Sequence, residues 1–283
     1  MIPSVAVHGD QVADSEGHAD VLAGSELPRL RHIYLSSAKP WVAADFRGRS
    51  DSVAPLRWLE GGPNSVLVHG PEGSAVKDVI NDIAEFGARA EVLIDGAALG
   101  SVQILVDAGW VCVDVRPFMR RVARPSAYDA AVRLSTAART SADVVAELFS
   151  PRDLAVAGQV MAEAFGFDPS AAYQSMRSGQ ERTSDRRVWA LRHDGDVVSC
   201  ATTVQVDDTV VLWDVATRPT CQRHGYGTAL VNAIHNQCAD ASNVHQFLLL
   251  SSTMGYHVYE SLGYETIAWW QAWSRPRWNL GRA

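Results

Sequence analysis

The chain has 283 residues, 47% of them hydrophobic and 20% charged, a globular composition of a size for one large domain or two ordinary ones. A formal net charge of −7 and a sequence pI of about 5.7 argue against broad nucleic-acid or anionic-membrane binding, which calls for a basic face. No run is long enough to cross a bilayer, and the N-terminus lacks a basic start and a sustained apolar core, so no membrane span and no secretory signal are expected.

Residues 1 to 30 read as a polar, acidic, irregular segment. The apolar stretches "RHIYLSSA" and "WVAADF" then read as strands of unassigned register. Beyond them the pattern sharpens into strand "NSVLVHG", helix "SAVKDVINDIAEFG", strand "AEVLID", helix "ALGSVQILVDAG" and the extended run "WVCVDVRPFMRRV". "VARPSAYDA" reads as a linker, followed by a strand at "AVRLSTA", a helix at "PRDLAVAGQVMAEAFGF" and a second helix over about 170–179. Residues 186 to 217 read as three antiparallel strands with hairpins at Asp194-Gly195 and Asp207-Asp208. "QRHGYGTAL" then opens the helix "GTALVNAIHNQCAD". The strand "HQFLLLS", the helix "STMGYHVYESLG" and the strand "YETIAWWQAW" complete the order.

The ends of the two halves repeat one order of elements and align on Gly109-Trp110 and Gly263-Tyr264, each closing a helix and opening a strand. A repeat at this spacing points to duplication; two unrelated α/β segments with common punctuation are the alternative. The four cysteines, Cys112, Cys200, Cys221 and Cys238, form no C-x-x-C pair and read as reduced thiols of a cytoplasmic protein. The nine histidines show no local metal-ligand spacing, so no metal site is expected.

The glycines at 225 and 227 carry the most chemistry. A P-loop would require G-x-x-x-x-G-K-[S/T], and no lysine follows. A dinucleotide fingerprint would place a third glycine at 230, which is Leu230, and would follow a parallel strand. What remains is a strand, Pro219, then Gln222-x-x-Gly225-x-Gly227 entering a helix. Missing Cβ atoms and free helix N–H groups there suit a pyrophosphate.

This stretch resembles the Q/R-x-x-G-x-G/A signature of the GNAT superfamily of acyl-CoA-dependent N-acyltransferases. "STMGYHVYESLGYETIAWW" is similar to the family's final helix and strand, with a tyrosine four residues before a glycine-aromatic pair. The resemblance covers roughly residues 125–275 and implies a GNAT fold, α/β with a mixed sheet, built as two GNAT-like halves with the C-terminal one complete.

By that resemblance, the strand "VVLWDVAT" splays from its neighbour and its free backbone edge pairs with the pantetheine arm of acetyl-CoA or another acyl-CoA. The N–H groups of Arg223, His224, Gly225, Tyr226, Gly227 and Thr228, next to Gln222, hold the pyrophosphate. Arg223 and His224 either add charge or are solvated loop residues. Tyr259 matches the family's general acid for the leaving thiolate, and Tyr256, three residues earlier, is the alternative donor. A backbone N–H around Val215, Ala216 and Thr217 serves the oxyanion. Asp214 is the candidate proton acceptor, with an electrostatic or structural role as the alternatives. His193 reads as exposed and His257 as solvated. Ser252 replaces a common asparagine that contacts the pantetheine arm, and Gly255 a common alanine.

In the first half the position matching Tyr259 is Leu105, and "HGPEGSAVKD" puts Glu72 where a pyrophosphate would sit. Residues 1–124 are therefore expected to form a degenerate GNAT-like domain, similar to the inactive halves of tandem members such as mycothiol synthases, and residues 125–283 the catalytic domain. Trp269, Trp270, Trp273 and Trp278 either pack between the halves or wall an apolar or cationic acceptor site; alternation puts Trp269, Gln271 and Trp273 on one face and Trp270 on the other. The implied activity is acetyl transfer to a primary amine of a small molecule. A regulatory acyl-CoA-binding module and a protein-lysine or N-terminal acetyltransferase are the alternatives.

Overall fold

The computed structural model describes residues 26–38, 64–68, 90–95, 99–100, 102–123, 143–166, 168–177, 185–239 and 243–275. The expected helix over 74–87, the loop carrying Glu72, the strands at 41–46 and 131–137, most of the linker and Trp278 lie outside these residues.

Helix α1 spans Leu27–Ser36 with a proline in its first turn. A helix rather than a strand forms across "RHIYLSSA" because the apolar positions Leu27, Leu30, Ile33 and Tyr34 recur at three- and four-residue spacing, and all four are buried. Strands β1 (Asn64–Val68) and β2 (Ala90–Ile94), helix α2 (Val102–Asp107) and the long strand β3 (Val111–Val122) follow. Strand β4 (Asp143–Glu147), unanticipated from sequence, precedes α3 (Pro151–Phe165), which starts on a Ser150 cap that accepts from Asp153 N–H at 3.1 Å and stops at Gly166. Then come α4 (Pro169–Arg177), β5 (Arg186–His193), β6 (Asp196–Val206), β7 (Thr209–Thr217), a 3₁₀ turn (Pro219–Cys221), α5 (Tyr226–Ala239), β8 (Gln246–Leu250), α6 (Tyr256–Ser261) and β9 (Glu265–Ser274).

All nine described strands join one sheet in the order β1-β2-β9-β3-β8-β7-β6-β5-β4. The pairs β1–β2 and β7–β8 are parallel; β2–β9, β9–β3 and β3–β8 are antiparallel. Read outward from the β9–β3 junction, the two directions match: an antiparallel partner, then a parallel pair. Each of the last strands of the two sequence halves is thus inserted among strands of the other half. The junctions ahead of them also match. Gly109 and Gly263 both have positive φ, 77° and 81°. Trp110 N–H donates to Leu105 O at 2.9 Å, and Tyr264 N–H donates to Tyr259 O at 3.0 Å.

Side chains alternate across the sheet and build a core on each face. On one face Trp189, Leu191, Leu212, Met119 and Phe247 pack under α5 and α6. On the other, Val188, Ala190 and Cys200 lie under α3 and α4, while Phe118, Val211, Leu248 and Trp270 lie under α1. Trp270 is fully buried and Trp269 is 54% exposed, so these neighbours lie on opposite faces of β9, while Trp273 is buried as well. Ion pairs fix the first half of α1: Arg120 to Glu26 at 2.8 Å, Arg29 to Asp208 at 3.0 Å, and Arg31 to the buried Asp95 at 3.2 Å.

Candidate active site

Strand β7 is paired on both sides only at its start. Thr209, Val210 and Val211 face Gln246, Phe247 and Leu248 of β8; from Leu212 onward no β8 residue is paired with it. On its other side the ladder to β6 continues through Thr202 opposite Trp213 and resumes with Cys200 opposite Ala216. Asp214 and Val215 together face a single β6 residue, so this is a β-bulge. Asp214 sits at φ 53°, a left-handed conformation that short polar side chains tolerate better than others. Local sequence does not encode this kink; it becomes visible only once the pairing is known.

The bulge changes what each residue presents. Val215 packs towards the α5 side, and Ala216 enters the core under α3 and α4. Ala216 O accepts from Ser199 Oγ at 2.7 Å, and the Ser199 and Thr217 hydroxyls lie 3.0 Å apart. Asp214 is half-buried and acts electrostatically on Arg186 and Cys200, which lie on the same face. Arg186 is only 3% exposed and donates to the carbonyls of Ser175 and Met176 at the end of α4, both at 2.8 Å. Burial pushes its guanidinium down to about 10, and the Asp214 carboxylate opposes that shift.

The turn after β7 is held from within. Gln222 Nε2 donates to Thr217 O at 3.3 Å, and His224 Nδ1 lies 2.8 Å from Gln222 O. Arg223 and Gly225 both have positive φ, 63° and 78°, around His224. The helical ladder begins with Ala229 N–H donating to Gly225 O at 2.9 Å, so the amides of Tyr226, Gly227 and Thr228 lie ahead of it. A Cβ on Gly227 would stand 3.3 Å from Thr217 Oγ1, so the glycine permits the helix to approach the strand end. Gln222, Arg223 and His224 are exposed, whereas the Tyr226 ring is buried beside His193. Cys221 is half-buried next to this turn.

The other diverging strand, β8, leads through Ser251 and Ser252 into α6. Ser252 Oγ accepts from Gly255 N–H at 3.2 Å. Tyr259 is half-buried, with its ring edge-on to Tyr264 at 5.6 Å between centroids. Burial pushes its phenol well above the ordinary range, so it stays protonated at neutral pH. Among the described residues its hydroxyl has no hydrogen-bond partner. Tyr256, by contrast, donates to Glu260 at 3.3 Å. His257 is 85% exposed beside Glu260, as its position suggested. His193 corrects its expectation: it is half-buried, with Nδ1 2.6 Å from Asp143 Oδ1.

The structure therefore brings Asp214, Val215, Ala216, Thr217 and residues 222–228 onto one strand and the turn that follows it. Ser252 and Tyr259 follow the neighbouring strand. Trp213 and helix α1 escaped the sequence reading. Trp213 donates from Nε1 to Ser37 Oγ at 2.9 Å and stacks on Tyr34 at 4.6 Å, bringing the end of α1 to the strand next to the bulge. The buried spacing of α1 was the available signal; its placement against β7 was not encoded locally.

Comparison with known proteins agrees with this geometry. Residues 184–266 match the model of the acetyltransferase (GNAT) domain family. No curated protein matches the chain. Among solved structures, a GCN5-related N-acetyltransferase from Kribbella flavida is similar at 17% identity, covering 86% of this chain and 94% of that one with a TM-score of 0.59. A GCN5-related N-acetyltransferase-like protein from Streptococcus suis 89/1591 is similar at 14% identity, with coverages of 87% and 97% and a TM-score of 0.51. A conserved protein from Staphylococcus epidermidis ATCC 12228 shares the fold at 12% identity, with coverages of 83% and 95% and a TM-score of 0.55. At these identities the likeness shows shared fold alone. Residues 184–266 therefore match the acetyltransferase (GNAT) domain family, whose members transfer acyl groups from acetyl-CoA.

Proposed function

We propose that residues 125–283 transfer an acetyl or other short acyl group from acyl-CoA, with acetyl-CoA as the expected donor, to a primary amine of a small molecule. The observation that carries this reading is the opening between β7 and β8 beyond Val211. One diverging strand leads into the glycine turn, and the other into the helix bearing Tyr259. A pantetheine arm fits the unpaired edge of β7, with its pyrophosphate at the amides of residues 223–228.

In this reading the neutral amine attacks the thioester carbonyl carbon as the C–N bond forms. A backbone N–H of Val215 to Thr217 stabilises the oxyanion. Asp214 takes the ammonium proton directly or through water. Collapse breaks the C–S bond, and Tyr259 protonates the departing thiolate. The absence of a described partner on the Tyr259 hydroxyl supports that role. The mirrored strand order and the matched Gly109 and Gly263 junctions support residues 1–124 as a GNAT-like half, with Leu105 in the place of Tyr259.

The test is a panel of primary amines with acetyl-CoA, read as release of free CoA thiol, for wild type and Tyr259→Phe. The variant should bind acetyl-CoA normally and turn over more slowly by about 10²-fold. Equal turnover removes Tyr259 from the chemistry, and absence of acetyl-CoA binding by the wild type removes the cosubstrate site.

A further inference from the structure

Helix α6 has only six residues, too few to hold its own position, because helices shorter than about 12 residues are marginal without tertiary contacts. Something outside it must fix where Tyr259 stands. Its C-terminal end is held by Tyr264 N–H donating to Tyr259 O. Its N-terminal approach, the loop Ser252–Gly255, is held by a residue far away in sequence. Thr253 Oγ1 donates to Asp114 Oδ1 at 2.7 Å.

Asp114 lies on β3, from the N-terminal part of the chain, beside an irregularity in the register between Cys112 and Asp114. Its two oxygens are fully engaged. Oδ1 also accepts from Val115 N–H at 2.9 Å, and Oδ2 accepts from Arg116 Nε at 3.1 Å. Burial alone would raise its carboxyl, but the bonds from Thr253 and Arg116 outweigh that and hold it below the ordinary range. Arg116 is itself clamped: its Nη1 lies 2.6 Å from Glu91 Oε1, and its Nη2 donates to Glu91 Oε2 at 3.0 Å. One charge-assisted hydrogen bond and a second close charge contact thus hold the guanidinium against Glu91. A line of charged contacts thus runs from β2 through β3 to the loop that begins α6.

We propose that Asp114 is a positioning residue for acyl transfer: through Thr253 it fixes the short helix that carries Tyr259. This rests on the reading of Tyr259 as the thiolate's proton donor. It also gives the N-terminal half a defined task in the reaction, one that needs no cosubstrate site of its own.

Thr253 is exposed, so its isosteric replacement leaves the core intact. The experiment compares wild type, Thr253→Val, Thr253→Ser, Asp114→Ala and Tyr259→Phe, using acetyl-CoA and the best amine of the panel. Amide exchange is followed over residues 253–262 in the protein alone. A hydrogen bond to a carboxylate is among the stronger ones, so Thr253→Val should exchange about tenfold faster in that segment and nowhere else. Its kcat should fall about tenfold with the KM for acetyl-CoA within about twofold, and Thr253→Ser should recover both. Asp114→Ala should show at least the losses of Thr253→Val in that segment and in kcat, and Thr253→Val in the Tyr259→Phe background should cost nothing further.

Unaltered exchange, or an unaltered kcat in Thr253→Val while Tyr259→Phe is slow, overturns the positioning role and leaves the reading of Tyr259 standing. A raised KM with unchanged kcat also overturns it, by making Thr253 a direct contact of the cosubstrate. Normal turnover in Tyr259→Phe overturns the underlying reading itself.

Discussion

Gly255 and Tyr259 touch across one turn of α6: a Cβ built on the glycine stands 3.1 Å from Cε2 of the tyrosine ring. The same atom would lie 3.1 Å from Ser251 Oγ and 3.4 Å from Ser252 Oγ. The backbone is no obstacle, since Gly255 has φ −82° and ψ −16°, values any residue adopts. The crowding is therefore the whole effect. Gly255→Ala should displace the Tyr259 ring by a few tenths of an ångström, lower kcat roughly three- to tenfold, and change stability by less than about 1 kcal/mol. Parallel measurement of turnover and thermal unfolding checks this; a normal kcat would show that the ring tolerates displacement.

The glycine turn makes a contrasting prediction, on binding rather than rate. Gly225 has φ 78°, where an ordinary residue is strained by about 1–2 kcal/mol. At Gly227 the conflict is with the Thr217 hydroxyl. Gly225→Ala and Gly227→Val should each weaken acetyl-CoA binding by about tenfold or more, because the bound state needs the closed turn. Titration by calorimetry measures it. Unchanged affinity in both variants would make the turn a structural feature only.

These two predictions also mark what was legible in the sequence. The spacing of Gln222, Gly225 and Gly227 was readable because a glycine requirement is local. The place of Tyr259 on the helix ahead of the Gly263-Tyr264 junction was readable because the spacing to that pair is local. The Asp214 bulge was not, because it arises when two β7 residues share one β6 partner. Nor was the place of β3 between β8 and β9, which joins residues more than a hundred positions apart. Helix α1 was misread because the contiguous apolar letters of "RHIYLSSA" masked the helical spacing of Leu27, Leu30, Ile33 and Tyr34. The Asp114–Thr253 bond depends on β3 lying beside β8, so no local pattern could announce it.

His235 gives stability a pH dependence of known sign. It is 1% exposed, with Nε2 2.8 Å from the Tyr264 hydroxyl and its ring against Phe247. Burial, aided by the Arg121 charge, holds its imidazole well below the ordinary value of about 6.5. Below about pH 6.5 the unfolded chain takes up a proton there that the folded protein refuses. Its contribution is complete above that pH and is lost as pH falls towards the folded value. Stability should decline by up to about 1.4 kcal/mol per pH unit in that window from this group. His235→Gln should be less stable at pH 8 and show a shallower decline between about pH 6.5 and 5. Urea unfolding at several pH values measures both, and parallel curves for the two proteins would refute the assignment.

Asp214 is tested by separating its backbone from its charge. Asparagine tolerates the left-handed conformation at φ 53° nearly as well as aspartate, so Asp214→Asn keeps the bulge and removes the carboxylate. Alanine removes both the charge and the conformational tolerance. A proton acceptor contributes on the order of 10²–10⁴-fold, so Asp214→Asn should lose at least about 10² in kcat with acetyl-CoA affinity preserved. The acidic limb of its pH–rate profile should flatten with it. Asp214→Ala should add a loss of about 1 kcal/mol in stability. If Asp214→Asn instead retains turnover and loses stability, the carboxylate serves the β7 bulge, and the amine must shed its proton to water or to another group.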